Sequence, residues 1–163
     1  LIPDFAGKIE SIRKIVNAGA EVIGHNLETT EMLTPKVRDL RATYQQSLEV
    51  LETIKAISPS TYTKSSLMLG LGELEADVTK TMSDLRNVGV DILTLGQYLR
   101  PSKHHLQVVE YVPPNKFEHY KAVGKQMGFL YVAAGSFVRS SYRAGELFLE
   151  NVIRRRTSQS IAA

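Results

Sequence analysis

The sequence predicts an α/β fold in which parallel strands alternate with helices, and three observations predict it. A helical face, a glycine stop and a short apolar run recur in that order along the chain. The apolar runs do not alternate with polar residues, as expected of strands buried on both faces. The glycines fall where a helix C-cap requires a left-handed backbone. Repeated helix–glycine–strand units are the mark of a parallel sheet with crossover helices.

The elements follow in order. Leu1-Ile2, ahead of the turn at Pro3-Asp4-Phe5, reads as the tail of a strand whose beginning is missing. Ile9, Ile12, Ile15 and Val16 share a helical face. Asn17-Ala18-Gly19 stops that helix, and Ala20-Glu21-Val22-Ile23 is the strand after it. Leu48, Leu51 and Ile54 mark the next helix, followed by a strand from about Thr63 to Leu69. Val78, Met82 and Leu85 repeat the face spacing, with Asn87-Val88-Gly89 as the stop and Val90-Asp91-Ile92-Leu93 as the strand. The last copy has Phe117, Tyr120 and Val123, the stop Gln126-Met127-Gly128, and the strand Phe129-Leu130-Tyr131-Val132. The largest loop runs from Arg100 to Asn115 and holds Pro101, Pro113 and Pro114. A closed eight-unit barrel takes about 250 residues. These 163 residues therefore suit part of a barrel or an open sheet, with one domain over 1–153 and a basic, disordered tail over 154–163.

Composition narrows the function classes. The chain is 43% hydrophobic and 23% charged, with a formal charge of +3. Only Arg154-Arg155-Arg156 form a basic run. A triplet at a helix end complements the helix dipole, and the overall balance argues against a nucleic-acid or membrane partner. No apolar stretch approaches the roughly 20 residues of a membrane span, and none reads as a secretory signal or transit peptide. With no cysteine, these residues form neither disulfides nor thiolate metal sites.

In such folds, function gathers at the strand ends. Here the ends read Gly24-His25-Asn26-Leu27-Glu28-Thr29, Gly70-Leu71-Gly72-Glu73, Gly96-Gln97-Tyr98-Leu99-Arg100-Pro101 and Gly135-Ser136-Phe137-Val138-Arg139-Ser140-Ser141-Tyr142. Four polar ends in register suggest one shared site. Asn26 and Glu28, two apart on an extended segment, face the same side. An amide beside a carboxylate suits a ribose or an amino-acid head group; an Asx turn with a helix N-cap is the structural alternative. Gly70 and Gly72 suit an anion cradle of backbone N–H groups or simply a tight turn, and Glu73 fits the first turn of the next helix. Lys64, on a strand, suits a Schiff-base lysine or an ion-paired one. His25, His104, His105 and His119 lack ligand spacing, and no Gly-x-Ser-x-Gly elbow is present.

Several segments together resemble lipoyl synthase, a radical S-adenosylmethionine family, in that family's order and spacing. They are Leu1-Ile2-Pro3-Asp4-Phe5, His25-Asn26-Leu27-Glu28-Thr29, Val37-Arg38 with Arg41 and Ser47-Leu48, and Thr63 to Glu73. Asp91 to Ser102, Glu110-Tyr111-Val112 and Arg139-Ser140-Ser141-Tyr142 complete the set. The likeness covers nearly the whole chain and fades after about Val152.

The resemblance implies the C-terminal half of a partial (β/α) radical-SAM barrel of the TIM type. It implies an enzyme that inserts two sulfur atoms at C6 and C8 of an octanoyl chain on a carrier lysine. Its cofactors are S-adenosylmethionine and two 4Fe-4S clusters, whose cysteines in the family precede the Leu-Ile-Pro-Asp-Phe segment; the fragment alone is expected to be inactive. Its partners are octanoylated lipoyl-carrier domains or the glycine-cleavage H protein, and an electron donor such as ferredoxin. By position, Ser141 is the auxiliary-cluster iron ligand, with Ser140 as alternative, and Arg139 steadies charge beside it. Asn26, Glu28, Arg41, Gln97 and Tyr98 fall on the S-adenosylmethionine and substrate side. One departure is Gly135-Ser136-Phe137, where the family usually has Gly-Pro-Leu. The tail from Arg143 to Asn151 resembles organellar members, which favours mitochondria, with plastid or bacterial cytoplasm as alternatives. The other readings are an aldolase-like barrel using Lys64 and a non-catalytic scaffold.

Overall fold

The computed structural model describes residues 1–141. The predicted tail over 154–163 lies outside the described residues. A short 3₁₀ turn at Phe5–Gly7 leads into α1 (Ile9–Asn17) and β1 (Val22–Gly24). Then come α2 (Thr34–Val37), α3 (Tyr44–Ile57), β2 (Tyr62–Leu69), α4 (Glu75–Asn87), β3 (Ile92–Gln97), α5 (Pro114–Gln126) and β4 (Tyr131–Gly135).

All strand pairs are parallel and the order is β1-β2-β3-β4. Strands that advance one place at a time, always in one direction, are singly wound. With right-handed crossovers, that order puts every connecting helix on the same face. A doubly wound sheet would reverse direction partway. The architecture is therefore that of a partial (β/α) barrel.

Side-chain alternation separates the two faces. Leu67 and Leu69 of β2, Leu93 and Leu95 of β3 and Val132 of β4 join one core with Leu48, Leu51, Val78, Met82, Leu85, Phe117 and Tyr120 from the helices. A smaller cluster of Ile12, Val16, Ile23, Val50 and Ile54 seats α1 against α3 and β1. The residues between them face the other way. There, Lys64, Ile92 and Tyr131 stand in one row, Ser66, Thr94 and Ala133 in the next, and Met68, Gly96 and Gly135 in the last. Toward the C-terminal ends of β3 and β4 that face shrinks to glycine, and large residues stand at its start and at Met68.

The predicted stops are left-handed glycines, with φ of 80° at Gly19, 84° at Gly89 and 87° at Gly128. Three strands start two residues later than their runs suggest, β1 at Val22, β3 at Ile92 and β4 at Tyr131. The Val90 N–H donates to the Leu85 carbonyl and the Phe129 N–H to the Gly124 carbonyl. Both residues thus complete a Schellman-type cap and pack into the core from there, before the strand begins. The opening residues also differ from expectation. Ile2 N–H donates to the Gly24 carbonyl at 2.8 Å, yet Leu1-Ile2 forms no strand. Pro3 has no N–H to extend a ladder, and the Asp4 carboxylate caps the Ala6 N–H into a turn.

At the N-terminal end of the sheet, the Lys55 ammonium lies 2.6 Å from Asp91 and donates to the Thr61 carbonyl. Asp91 also accepts from the Thr63 N–H at 2.8 Å. This knot ties α3 to β2 and β3. Among the described residues, no helix is long and apolar enough to cross a membrane.

Candidate functional site

The four strand ends meet on one edge of the sheet. Beyond β1, the chain stays extended to Glu28, which makes an isolated bridge to Leu67 through two backbone hydrogen bonds to β2. Leu27 turns into the core, so Asn26 and Glu28 point to the face away from the helices. Asn26 Nδ2 donates to Glu28 Oε1 at 3.0 Å. Glu28 has a φ of 70°, a strained value for a residue with a Cβ, of the kind that clusters at ligand sites. The pair therefore forms neither the Asx turn nor the helix cap.

Both residues line a cavity of about 250 Å³ together with Ile2, Asp4, His25 and Arg38. The Arg38 guanidinium is held by the Ser47 hydroxyl at 2.7 Å. The Ala6 N–H is the main cause that holds the Asp4 carboxyl below its usual range. His25 is buried, and its Nδ1 lies 3.0 Å from the Ile2 carbonyl oxygen. A carbonyl accepts only, so Nδ1 carries the proton and Nε2 is left as an acceptor. Nε2 is buried with no protein partner. Burial is the first cause that pulls the imidazole below its ordinary value, so the ring is a neutral base. The cavity thus offers a carboxylate, an amide, a guanidinium and an open acceptor within one small space. Asp4, His25 and Arg38 were not singled out for this site by sequence pattern. Their signal is proximity across about 34 residues of chain, which periodicity does not carry.

At the β2 end, the Gly70 N–H donates to Glu73 Oε1 at 2.6 Å and the Leu71 N–H to Glu73 Oε2 at 2.9 Å. The predicted anion cradle is filled by the chain's own carboxylate. Glu73 sits ahead of α4, and its side chain turns back to the strand end.

At the β3 end, Gln97 spends its amide on the loop that follows. Its Nε2 donates to the Tyr98 and Glu110 carbonyls, both at 3.0 Å, and its Oε1 accepts from the Val112 N–H at 2.9 Å. Buried Tyr98 donates its hydroxyl to the Leu106 carbonyl. Arg100 donates to the His105 and Lys103 carbonyls. The long loop is therefore tied to β3 by Gln97 and folded back on itself by Tyr98 and Arg100.

At the β4 end, the Val138 N–H closes a turn on the Gly135 carbonyl. Val138 is buried and its carbonyl lies directly over Gly96, where any Cβ would collide with it. Arg139 donates to the Ser136 and Val138 carbonyls. Ser140 and Ser141 follow on the surface.

The other sequence candidates sit elsewhere. Arg41 is solvent-exposed in a forked pair with Asp39 at 2.9 Å, which draws the Asp39 carboxyl down to about 2. Lys64 is half-buried on β2, on the same face as Ser66. His119 pairs with Glu75, and His105 with the Ser102 hydroxyl. A second cavity of about 500 Å³ opens between α2, the β2 end and the long loop, with Met68, Leu71, Tyr98, Leu99 and Leu106 in its wall.

The chemistry of this donor set can be tested against the groups the resemblance implies. A zwitterionic nucleoside-bearing ligand fits the first cavity, because carboxylate, amide and guanidinium meet there beside an orphaned acceptor. An iron–sulfur cluster does not fit these residues alone. Clusters are held by several thiolates, and this chain has no cysteine. Ser140 and Ser141 fit one hard oxygen ligand at most.

No family model matches the chain. Among curated proteins it is 53% identical over 160 residues to "Lipoyl synthase, mitochondrial" of Aedes aegypti, covering 98% of this chain and 41% of that protein. It is 54% identical to the protein of the same name from Drosophila willistoni, over 99% of this chain and 44% of that one. It is 52% identical to "Lipoyl synthase, apicoplast" of Plasmodium vivax, over 100% of this chain and 37% of that one. The chain spans about two fifths of the length of the curated relatives it matches. With more than half its residues shared along almost its whole length, on a sheet of parallel strands whose ends carry the matching segments, the chain is a homologue of the lipoyl synthases.

Proposed function

We propose that the chain forms part of the active site of a lipoyl synthase, which inserts two sulfur atoms at C6 and C8 of a protein-bound octanoyl-lysine. The observation that carries this reading is the identity of 52–54% over 98–100% of the chain with three lipoyl synthases. When bound, S-adenosylmethionine and two 4Fe-4S clusters supply the hydrogen-abstracting radical and the sulfur. The cysteines for both clusters then belong to residues outside these 163.

The chain's own part is to bind and to position. Asn26 and Glu28 hold the ribose or the amino-acid group of S-adenosylmethionine, with Asp4 and Arg38 as complementary charges in the same cavity. The amide and carboxylate are bonded to each other at 3.0 Å, so both are already oriented before a diol arrives. Ser141, or Ser140 beside it, offers an oxygen to one iron of the auxiliary cluster. An alkoxide is a hard donor in a site otherwise soft, which suits a ligand that must leave when the cluster gives up sulfur. Arg139 steadies negative charge there. Gln97 and Tyr98 shape the loop on the substrate side, and exposed Arg41 meets the carrier from outside. The carrier is an octanoylated lipoyl domain or glycine-cleavage H protein, and a ferredoxin-type protein donates electrons. The names of the relatives support a mitochondrial or plastid setting.

The test is Ser141→Ala in the full-length enzyme reconstituted with iron and sulfide. Lipoyl formation should fall at least 100-fold, with an altered auxiliary-cluster spectrum and an intact radical-SAM cluster. Ser140→Ala in parallel decides between the two serines. Unchanged spectra and unchanged product in both variants would sink the ligand assignment.

A further inference from the structure

The second cavity has a feature the proposed reaction does not use: its apolar wall is ringed by unpaired cations. Leu71 is buried, and Leu99 and Leu106 are 51% and 44% exposed, so the cavity continues outward as an apolar surface. Lys36 of α2 lines it on one side and Pro101, His104 and His105 of the long loop on the other, with Arg100 and Lys103 as their chain neighbours. From Tyr98 to Val109 the loop contains no carboxylate. Arg100, Lys103, His104 and His105 are all exposed. Among the described residues, Lys36, Arg100 and Lys103 make no ion pair, so no carboxylate among those residues neutralises them. The loop is also built to keep its shape. Gln97, Tyr98 and Arg100 tie its backbone down, so the charges are presented on a fixed frame.

A fixed apolar opening with a cationic rim selects one kind of visitor. Its inserted part is an aliphatic chain and the body that carries the chain is acidic. We infer that this face docks the acidic surface of the domain that presents the acyl-lysine, with Lys36, Arg100 and Lys103 meeting its carboxylates. Met68, Leu71, Leu99 and Leu106 receive the chain. This rests on the lipoyl synthase reading for the acyl chain. The charge argument rests on α2 and the loop alone. Rim charges act mainly on association and its salt dependence, and less on the chemical step.

Two measurements separate the docking surface from the reaction. Binding of an octanoylated carrier domain to the full-length enzyme is followed by calorimetry at two salt concentrations. The double variant Lys36→Glu/Lys103→Glu should weaken binding about ten-fold or more and flatten its salt dependence. Turnover is then compared on the carrier and on a short octanoyl-lysine peptide. The double variant should raise KM for the carrier and leave the peptide unaffected, while Leu106→Glu should impair both. Equal carrier affinity in wild type and double variant overturns the docking surface, as does an equal loss on both substrates. A carrier that binds by this face yet is never converted to product leaves the docking surface standing and removes the lipoyl synthase reading instead.

Discussion

His25 shows how one buried ring couples the candidate site to pH. Its Nδ1 proton is committed to the Ile2 carbonyl, and burial lowers its affinity for a second proton. In the unfolded chain the ring takes up that proton near its ordinary value of about 6.5. Above that pH both states are neutral and the ring contributes no pH dependence. As pH falls below it, the unfolded state binds the proton first, so stability falls until the depressed folded value is passed. Thermal denaturation between pH 7.5 and 5.5 should therefore show a loss of Tm that is reduced in His25→Gln. Asp4 does not confuse the measurement. Its depressed carboxyl acts below the ordinary carboxylate value, in a lower window. Equal slopes in both proteins would remove the ring from the account.

At the scale of the element, the β2 end is a turn closed by its own carboxylate. Gly70 has a φ of 102°, and a Cβ there would strike the Glu110 carbonyl and the Gln97 amide. Gly70→Ala should cost about 3 kcal/mol, from left-handed strain and overpacking together. Urea denaturation measures it, and a cost under about 1 kcal/mol would show that the loop gives way. Local signals made much of this legible. Helix faces and glycine stops depend on neighbours within a turn or two, and they fell where periodicity put them, while β1, β3 and β4 began two residues later than their runs suggest. What was not legible is long-range or reciprocal. Gln97 reaches residues 13 and 15 positions on. Glu73 reads as a helix-start acid by spacing, but finds two free N–H groups just behind it. Leu1-Ile2 has the residue types of a strand, and Pro3 breaks the ladder after one bond. Asn26 and Glu28 were legible as a pair because extended alternation needs no tertiary knowledge; Arg38 joins them only through the fold.

At the scale of the molecule, a singly wound sheet has two ends with different tasks. Apart from the candidate site, the opposite end is fastened by the Lys55–Asp91 pair, both side chains largely buried. Lys55→Met leaves Asp91 with a buried charge and only the Thr63 groups as partners. A loss of about 3 kcal/mol follows, with α3 the first element to show faster hydrogen exchange. Because the pair lies at the far end of β2 and β3, ligand binding at the strand ends should survive the change under conditions where the variant is folded. A variant as stable as wild type would mean that solvent reaches Asp91 freely.

The contact of Gly96 with the Val138 carbonyl bears on how inherited variants would be interpreted. Position 96 is an interior strand residue with no side chain and no reactive group, so a change there would ordinarily be filed as a folding defect. Its missing Cβ is what allows the segment bearing Arg139, Ser140 and Ser141 to lie against the sheet. A missense allele at this glycine could therefore pass for a lesion in the serines themselves, in a protein whose helices are intact.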